Sequence, residues 1–370
     1  MKRYGKILAS FFAAAAIAAA LLAPAVAANA AAYYVGPNGS DENAGTQESP
    51  FKTVAHAVTK STPGDIINIA EGKYEVKNVQ IDKSLKLVGA GREKTIFTAD
   101  LTVDYSDMVL ILGHVGEYGK DISGTSVSGI GFEYTATGQQ TAAIYYTASG
   151  KTSNVVIKDC AFIGKTAQDK TQAMGIATPY STLIGNLTIS GNIFKDMKYA
   201  MYFNSLVDSS ITGNTFVGTR YNGINIAADT ATYPCKEITV SGNKLSEISR
   251  ANYEEEAYSS GIRIGQYASD NTVTNNEIHM LNDKKPYSGF TQAAKLKTEV
   301  FYATLKEAVA AVEEGGAITL LMNNTEEFSI TKTLEMLHPA EETIKATAGE
   351  GYELSAYKTK YAVSKKPVKP

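Results

Sequence analysis

From Val127 to Ile278 the chain repeats one short pattern: an apolar residue, two spacers, a position that is most often Asn, one spacer, and a second apolar residue. The Asn position is taken in turn by Ile130, Cys160, Asn192, Asn214, Asn243 and Asn276. Three residues earlier stand Val127, Ile157, Ile189, Ile211, Val240 and Val273; two residues later stand Phe132, Phe162, Phe194, Phe216, Leu245 and Ile278. A third apolar patch follows each of the first five of these positions: "AIYY" from Ala143, "GIAT" from Gly175, "AMYF" from Ala200, "GINI" from Gly223 and "GIRI" from Gly261. Short β-branched segments punctuated by Gly and Asn, recurring at intervals of 30, 32, 22, 29 and 33 residues, predict an all-β coil that stacks on itself with three strands per turn. Helical repeats fit poorly, because the segments are short and rich in Val, Ile, Thr, Gly and Asn. In such a coil each strand pairs in parallel with its equivalent about 4.8 Å away. The Asn side chains then line up and hydrogen-bond along the stack, which makes them a turn ladder rather than catalytic residues.

Ahead of the repeats, "GPNGSDENAG" supplies turn formers, and "SPFKTVAHAV" carries apolar residues at helical spacing suited to a short helix over the open end of the coil. "PGD" then turns the chain into a first strand, "IINIA". Together with the repeats this opening resembles the right-handed parallel β-helix, or pectate-lyase-like, superfamily over roughly residues 33–281. The resemblance implies the fold firmly and the activity weakly, since such coils serve lyases, hydrolases, epimerases and noncatalytic surface proteins. A second copy of the opening pattern, "TLKEAVAAVEEGGAITLL" from Thr304, predicts a small C-terminal α+β module. The expected organisation is a signal peptide over 1–30, a β-helix with an N-terminal capping helix over 31–283, a polar linker over 284–300 and the module over 301–370.

The leader expectation rests on "MKRYGK", the Ala-rich apolar run behind it, and the small-residue "AVAANA" that suits cleavage. It places the mature chain outside the cell or at its surface, with no membrane span. Net charge is −3 with both signs mixed, which argues against nucleic acid as a partner. Two cysteines, Cys160 and Cys235, permit one disulfide without forming a framework.

Turn lengths place the candidate chemistry. The loops "GKTAQDKTQA" and "SRANYEEEAYSS" are long and leave the same corner of the coil three turns apart, over two short turns. They frame a trough about 14 Å wide. Its expected floor carries Lys195, Asp196, Lys198, Tyr199, Tyr202, Arg220, Tyr221, Asn222 and Asn225; its far wall carries Arg250, Tyr253, the run 254–256 and Arg263. Tyrosine faces stack on sugar rings, and Arg and Asn bind hydroxyls or carboxylates, so a polysaccharide is the expected partner. The plainer alternative is an ordinary solvated face. Asp196 and Glu247 share one offset across an intervening turn, roughly 9.6 Å apart, which suits an inverting hydrolase at its outer limit. A lyase instead needs a base beside a uronate, here Lys198 or Arg220, and a cation to neutralise the carboxylate, Arg263 or a Ca²⁺ held by Glu254, Glu255 and Glu256. That acidic run reads more simply as solvated charge, so no metal site is assigned. His56, His114, His279 and His338 have no ligand partners nearby in sequence, and no residue pattern names a cofactor. The rival to polysaccharide contact is a noncatalytic structural or adhesive protein, with the C-terminal module meeting a cell-surface partner.

Overall fold

In the computed structural model of the chain, the described residues are 30–367 apart from 114–119, 148–151, 168, 180–184, 228–229, 231, 233–234, 252–258, 266–267, 270, 282–286, 289–293, 297–300, 303–304, 321–323, 325 and 339–342. They form a right-handed parallel β-helix with three faces. The first face holds nine strands, from Ala32–Val35 and Ile66–Ile69 to Thr272–Thr274. The second holds eight, from Gly72–Glu75 to Glu277–Met280, and the third eight, from Val79–Ile81 to Tyr287–Ser288. Strands in all three pair in parallel with their equivalents one turn on, as in Ile157↔Ile189↔Ile211↔Val240↔Val273.

Two columns of buried side chains fix this register. Asn192, Asn214, Asn243 and Asn276 are buried and chained: each of the first three donates from Nδ2 to Oδ1 of the next at 2.9–3.0 Å. Each of those Oδ1 atoms also accepts the backbone N–H of the preceding ladder residue at 3.0–3.1 Å. Cys160, which stands where Asn is expected, donates its own N–H to Asn192 Oδ1 at 2.9 Å. The residue before each ladder position turns the corner at positive φ: Gly129, Asp159, Gly191, Gly213, Gly242 and Asn275 lie between 53° and 65°. That conformation is one that Gly, Asn and Asp tolerate. Two residues on, Phe132, Phe162, Phe194 and Phe216 stack inside the coil with centroids 4.8, 4.6 and 5.0 Å apart and planes within 8°. Face-to-face rings at the strand spacing are a consequence of in-register pairing.

The open N-terminal end is closed by α1, Val54–Lys60, which buries Val54, Ala57 and Val58 against the coil. Thr53 caps it by accepting the His56 N–H at 3.2 Å, and Thr53 Oγ1 in turn donates to Asp41 Oδ2 at 2.7 Å. The repeat of the opening sequence gives a repeat of local structure: α2, Leu305–Ala311, is again seven residues long and is followed by Gly316–Leu320, which pairs in parallel with Leu334–Leu337. The antiparallel hairpin of Tyr352–Ala356 and Lys360–Lys365 extends that sheet, and Leu305, Val309, Ile318, Leu334, Met336 and Val363 share a separate core. Within the stretch expected to be a linker, Tyr287–Ser288 adds a strand to the third face and Ala294–Leu296 joins the C-terminal sheet.

Cys160 and Cys235 are free and buried, and burial pushes both thiols up to about 12. Cys235 lies on a small fourth sheet between Leu206–Val207 and Ala268–Ser269. No described helix is long and apolar enough to cross a membrane.

Candidate functional site

The corner between the second and third faces holds most of the expected trough residues. Asp196 and Glu247 both sit at positive φ, 58° and 54°, with Gly218 at 73° between them on the intervening rung. Glycine there leaves room for Arg250, whose guanidinium lies where a Cβ on Gly218 would sit within 2.8 Å of it. Arg250 reaches Asp196 Oδ1 at 3.8 Å through Nη1 and pairs with Glu247 through Nη2. The two carboxylates proposed as a hydrolytic pair are therefore brought together on one guanidinium.

Immediately beyond this corner the third face carries an apolar cluster on its outer surface. Met108, Ile111, Ala142, Met174, Ala177 and Tyr199 are its buried members, with Tyr145, Tyr202 and Tyr221 half-buried against them. Tyr199 meets Tyr202 edge-on at 5.1 Å and stacks with Tyr221 at 5.2 Å. Two cations rim the cluster. Lys198 Nζ lies 5.9 Å from the Tyr199 ring centre and donates to Gln172 Oε1 at 2.6 Å; the Arg220 guanidinium lies 5.3 Å from the Tyr221 ring. The backbone ties these residues together, since Arg220 N–H donates to Met197 O and Tyr221 N–H to Lys198 O at 2.8 and 3.0 Å. Burial and then the neighbouring charge of Arg220 hold the Lys198 ammonium below the usual lysine value.

Other expected site residues have structural partners. Asn222 is fully buried and donates to Ser260 O and Ser260 Oγ at 2.8 and 2.9 Å. Asn225 is also buried; it donates to Asn222 Oδ1 at 3.3 Å and accepts from Arg263 Nη1 at 3.1 Å, so Arg263 lies over the far end of the cluster. Lys195 ends its second-face strand pointing outward and exposed. Tyr253, Glu254, Glu255 and Glu256 lie outside the described residues, as does His114.

Sequence reasoning missed the N-terminal half of the same surface. A pocket of about 330 Å³ opens between Tyr105, Ile111 and Tyr145, with Asn78, Gln80 and Thr147 around it. Its signal was available in "AIYY": the outward position of that patch is Tyr145, in the column that leads on to Tyr202.

Comparisons with known proteins bear on the coil. Residues 37–108 match a family model described as a protein of unknown function (DUF1565), and residues 78–284 match one described as periplasmic copper-binding protein (NosD). The chain is 28% identical over 207 residues to the uncharacterized protein YwoF of Bacillus subtilis strain 168, a stretch covering 54% of this chain and 43% of that one. The match thus takes in less than half of that relative's length. Among solved structures, the chain is similar to a GH136 lacto-N-biosidase from Eubacterium ramulus, with 12% identity, a TM-score of 0.41, and 86% of this chain and 67% of that one covered. It is also similar to the pectate lyase Pel9A, with 12% identity, a TM-score of 0.39, and 70% and 77% covered. These two likenesses concern the path of the chain and are silent on its chemistry. The family match spans more than half of the 370 residues: this β-helix belongs to the NosD family.

Proposed function

We propose that the protein is an exported β-helix that binds an acidic polysaccharide on the outer surface of its third face, at the corner formed by Lys198, Tyr199, Tyr202, Arg220 and Tyr221. The observation that carries this reading is the packing of three tyrosines into one partly exposed cluster with two cations at its rim. Aromatic faces suit the apolar faces of pyranose rings, and the cations suit a carboxylate. Arg263, over Asn225, supplies a third positive charge at the far side. In this reading residues 1–30 are a removed leader, 31–283 the binding coil, and 301–370 a separate unit for attachment or a cell-surface partner.

The same geometry favours β-elimination over hydrolysis as the site's chemistry. Arg250 occupies both candidate carboxylates. Lys198, held below the ordinary lysine value, is the better base: its uncharged fraction would take the proton beside a uronate carboxylate while Arg220 holds that carboxylate, a C=C bond forms as the glycosidic C–O bond breaks, and the departing oxygen takes a proton from water or from the ammonium so formed.

Copper, named in the family's description, does not fit the described donors. No three His, Cys, Asp or Glu side chains among the described residues come together as a ligand group. The two thiols are buried and protonated at neutral pH, His279 pairs with Glu277 at 3.0 Å, and His56 and His338 pack on Phe51 and Tyr361.

A screen of uronic-acid polymers tests the proposal. Retention on at least one polymer, lost in Tyr202→Ala and in Arg220→Ala, is the expected result, and absorbance from an unsaturated product would add lyase activity. New reducing ends without that absorbance would turn the chemistry toward hydrolysis. Failure to retain or cleave any polymer would leave the structural or adhesive role as the better account.

A further inference from the structure

The apolar cluster of the third face does not stop at the tyrosines. Register pairing strings one outward residue per rung into a column: Gln80, Ile111, Tyr145, Ala177, Tyr202, Asn225 and Arg263. Six strand spacings make this column roughly 29 Å long. Its two ends differ in charge. At the C-terminal end stand Lys198, Arg220 and Arg263; at the N-terminal end lies the pocket among Asn78, Gln80, Tyr105 and Tyr145, and none of its lining side chains carries a formal charge. Between them the floor is low and apolar: Ala177 sits between Tyr145 and Tyr202, so two partly exposed rings are separated by about 9.6 Å with a methyl group between them.

The neighbouring faces show that this surface is not a by-product of the coil. On the first face the outward positions beside the ladder strands are hydroxyls, with Thr188, Ser210, Thr239 and Thr272 in one column. On the second, Glu133 lies between Lys73 and Lys165 at 3.8 and 3.5 Å. Among the described residues, the outer apolar cluster belongs to the third face.

We propose that the N-terminal pocket is a second subsite for the same glycan, taking uncharged sugar residues of a chain that lies along the coil axis with an anionic residue at Lys198 and Arg220. This rests on the acidic-polysaccharide reading of the corner. The amide groups of Asn78 and Gln80 and the hydroxyl of Thr147 hydrogen-bond sugar hydroxyls, Tyr105 and Tyr145 cover ring faces, and Ala177 lets the chain pass between the two ends. From Ile111 to Tyr202 is three rungs, roughly 14 Å, so a ligand must be an oligomer to occupy both ends.

The experiment is titration of the full chain with oligosaccharides of two and six residues that alternate a uronate with a neutral sugar, namely hyaluronan and unsulfated chondroitin fragments. For at least one species the hexamer should bind tenfold or more tighter than the dimer. Tyr145→Ala should collapse the hexamer to the dimer's affinity while leaving the dimer unchanged, and Tyr105→Ala, at a residue 64% exposed and outside the core, should act in the same direction. Arg220→Ala should weaken both lengths. Equal affinity of dimer and hexamer for every species that binds, or a length advantage untouched by both tyrosine variants, overturns the second subsite and leaves the corner standing. Absence of binding by all species overturns both.

Discussion

The inside and the outside of the same rungs use one register for opposite ends. Inside, the columns repeat a single residue type: Asn over Asn at the turn, Phe over Phe behind it. Outside, on the third face, each rung contributes a different side chain to the column, from Gln80 through Tyr145 to Arg263. Repetition maximises packing and polar satisfaction in the dry interior, whereas variation along the outer column creates a surface with two different ends. If the outer column is the binding surface proposed above, the coil's stability and its recognition rest on disjoint sets of residues, and substitutions should separate them.

The largest effect belongs to the interior stack. Phe194 is fully buried between Phe162 and Phe216 at 4.6 and 5.0 Å. Phe194→Ala should cost about 3–5 kcal/mol through lost burial and the cavity left behind. Denaturant unfolding reads this directly. Below its transition the variant should still bind glycan, because Phe194 does not reach the outer surface.

Asn214→Ala comes next. Its Oδ1 accepts the N–H of Asn192 at 3.0 Å and also Asn192 Nδ2 at 3.0 Å, and its Nδ2 donates to Ile189 O and Asn243 Oδ1 at 3.0 Å. Each buried group left without a partner costs about 1–3 kcal/mol. Asn214→Asp preserves the acceptor but not the donor, so it should recover only part of the loss; full recovery would show that the ladder's donor side is immaterial.

Legibility follows the same division. The ladder and the Phe column could be read from sequence because Asn recurs on four successive turns and Phe on four, and the positive-φ corners that accompany them were written as Gly, Asp or Asn before each ladder position. Tyr199, Tyr202 and Tyr221 were within reach because the short turns of "FKDMKYAMYF" and "FVGTRYNGIN" bring them onto adjacent rungs. Three things were not legible. That Arg250 bridges Asp196 and Glu247 over Gly218 depends on a missing side chain on the intervening rung. That Asn222 turns inward to Ser260 depends on a loop of variable length. That Tyr105 belongs to the same surface as Tyr145 and Tyr202 depends on a turn between strands, outside the repeated patches.

On the outside, Arg220→Ala should reverse the profile of Phe194→Ala. Loss of a charge-assisted contact to a carboxylate costs about 1.5–3 kcal/mol of binding, or roughly 10- to 100-fold in affinity. Thermal or denaturant stability should stay close to that of the parent, because Arg220 is half-buried and its side chain lies over Tyr221 rather than within the coil. A stability loss as large as that of Asn214→Ala would break the proposed separation between interior and exterior.

Lys198 gives the smallest and most diagnostic effect. Burial, then the charge of Arg220, lowers its value from the usual 10.5. Between that lowered value and 10.5 the unfolded chain therefore binds more protons at this residue than the folded one, so its contribution to stability rises with pH across that window. Binding of an anionic glycan runs the other way, because it needs the ammonium charged, and affinity should fall as pH rises through the lowered value. Titrating affinity from neutrality up to 10.5 should show a descending step in the parent that Lys198→Gln abolishes. Arg220→Ala should shift the step upward, since it removes one of the two causes of the lowering while leaving burial in place. A step that stays put in Arg220→Ala would mean that the two cations do not sense each other, and the corner could not then present them to one carboxylate.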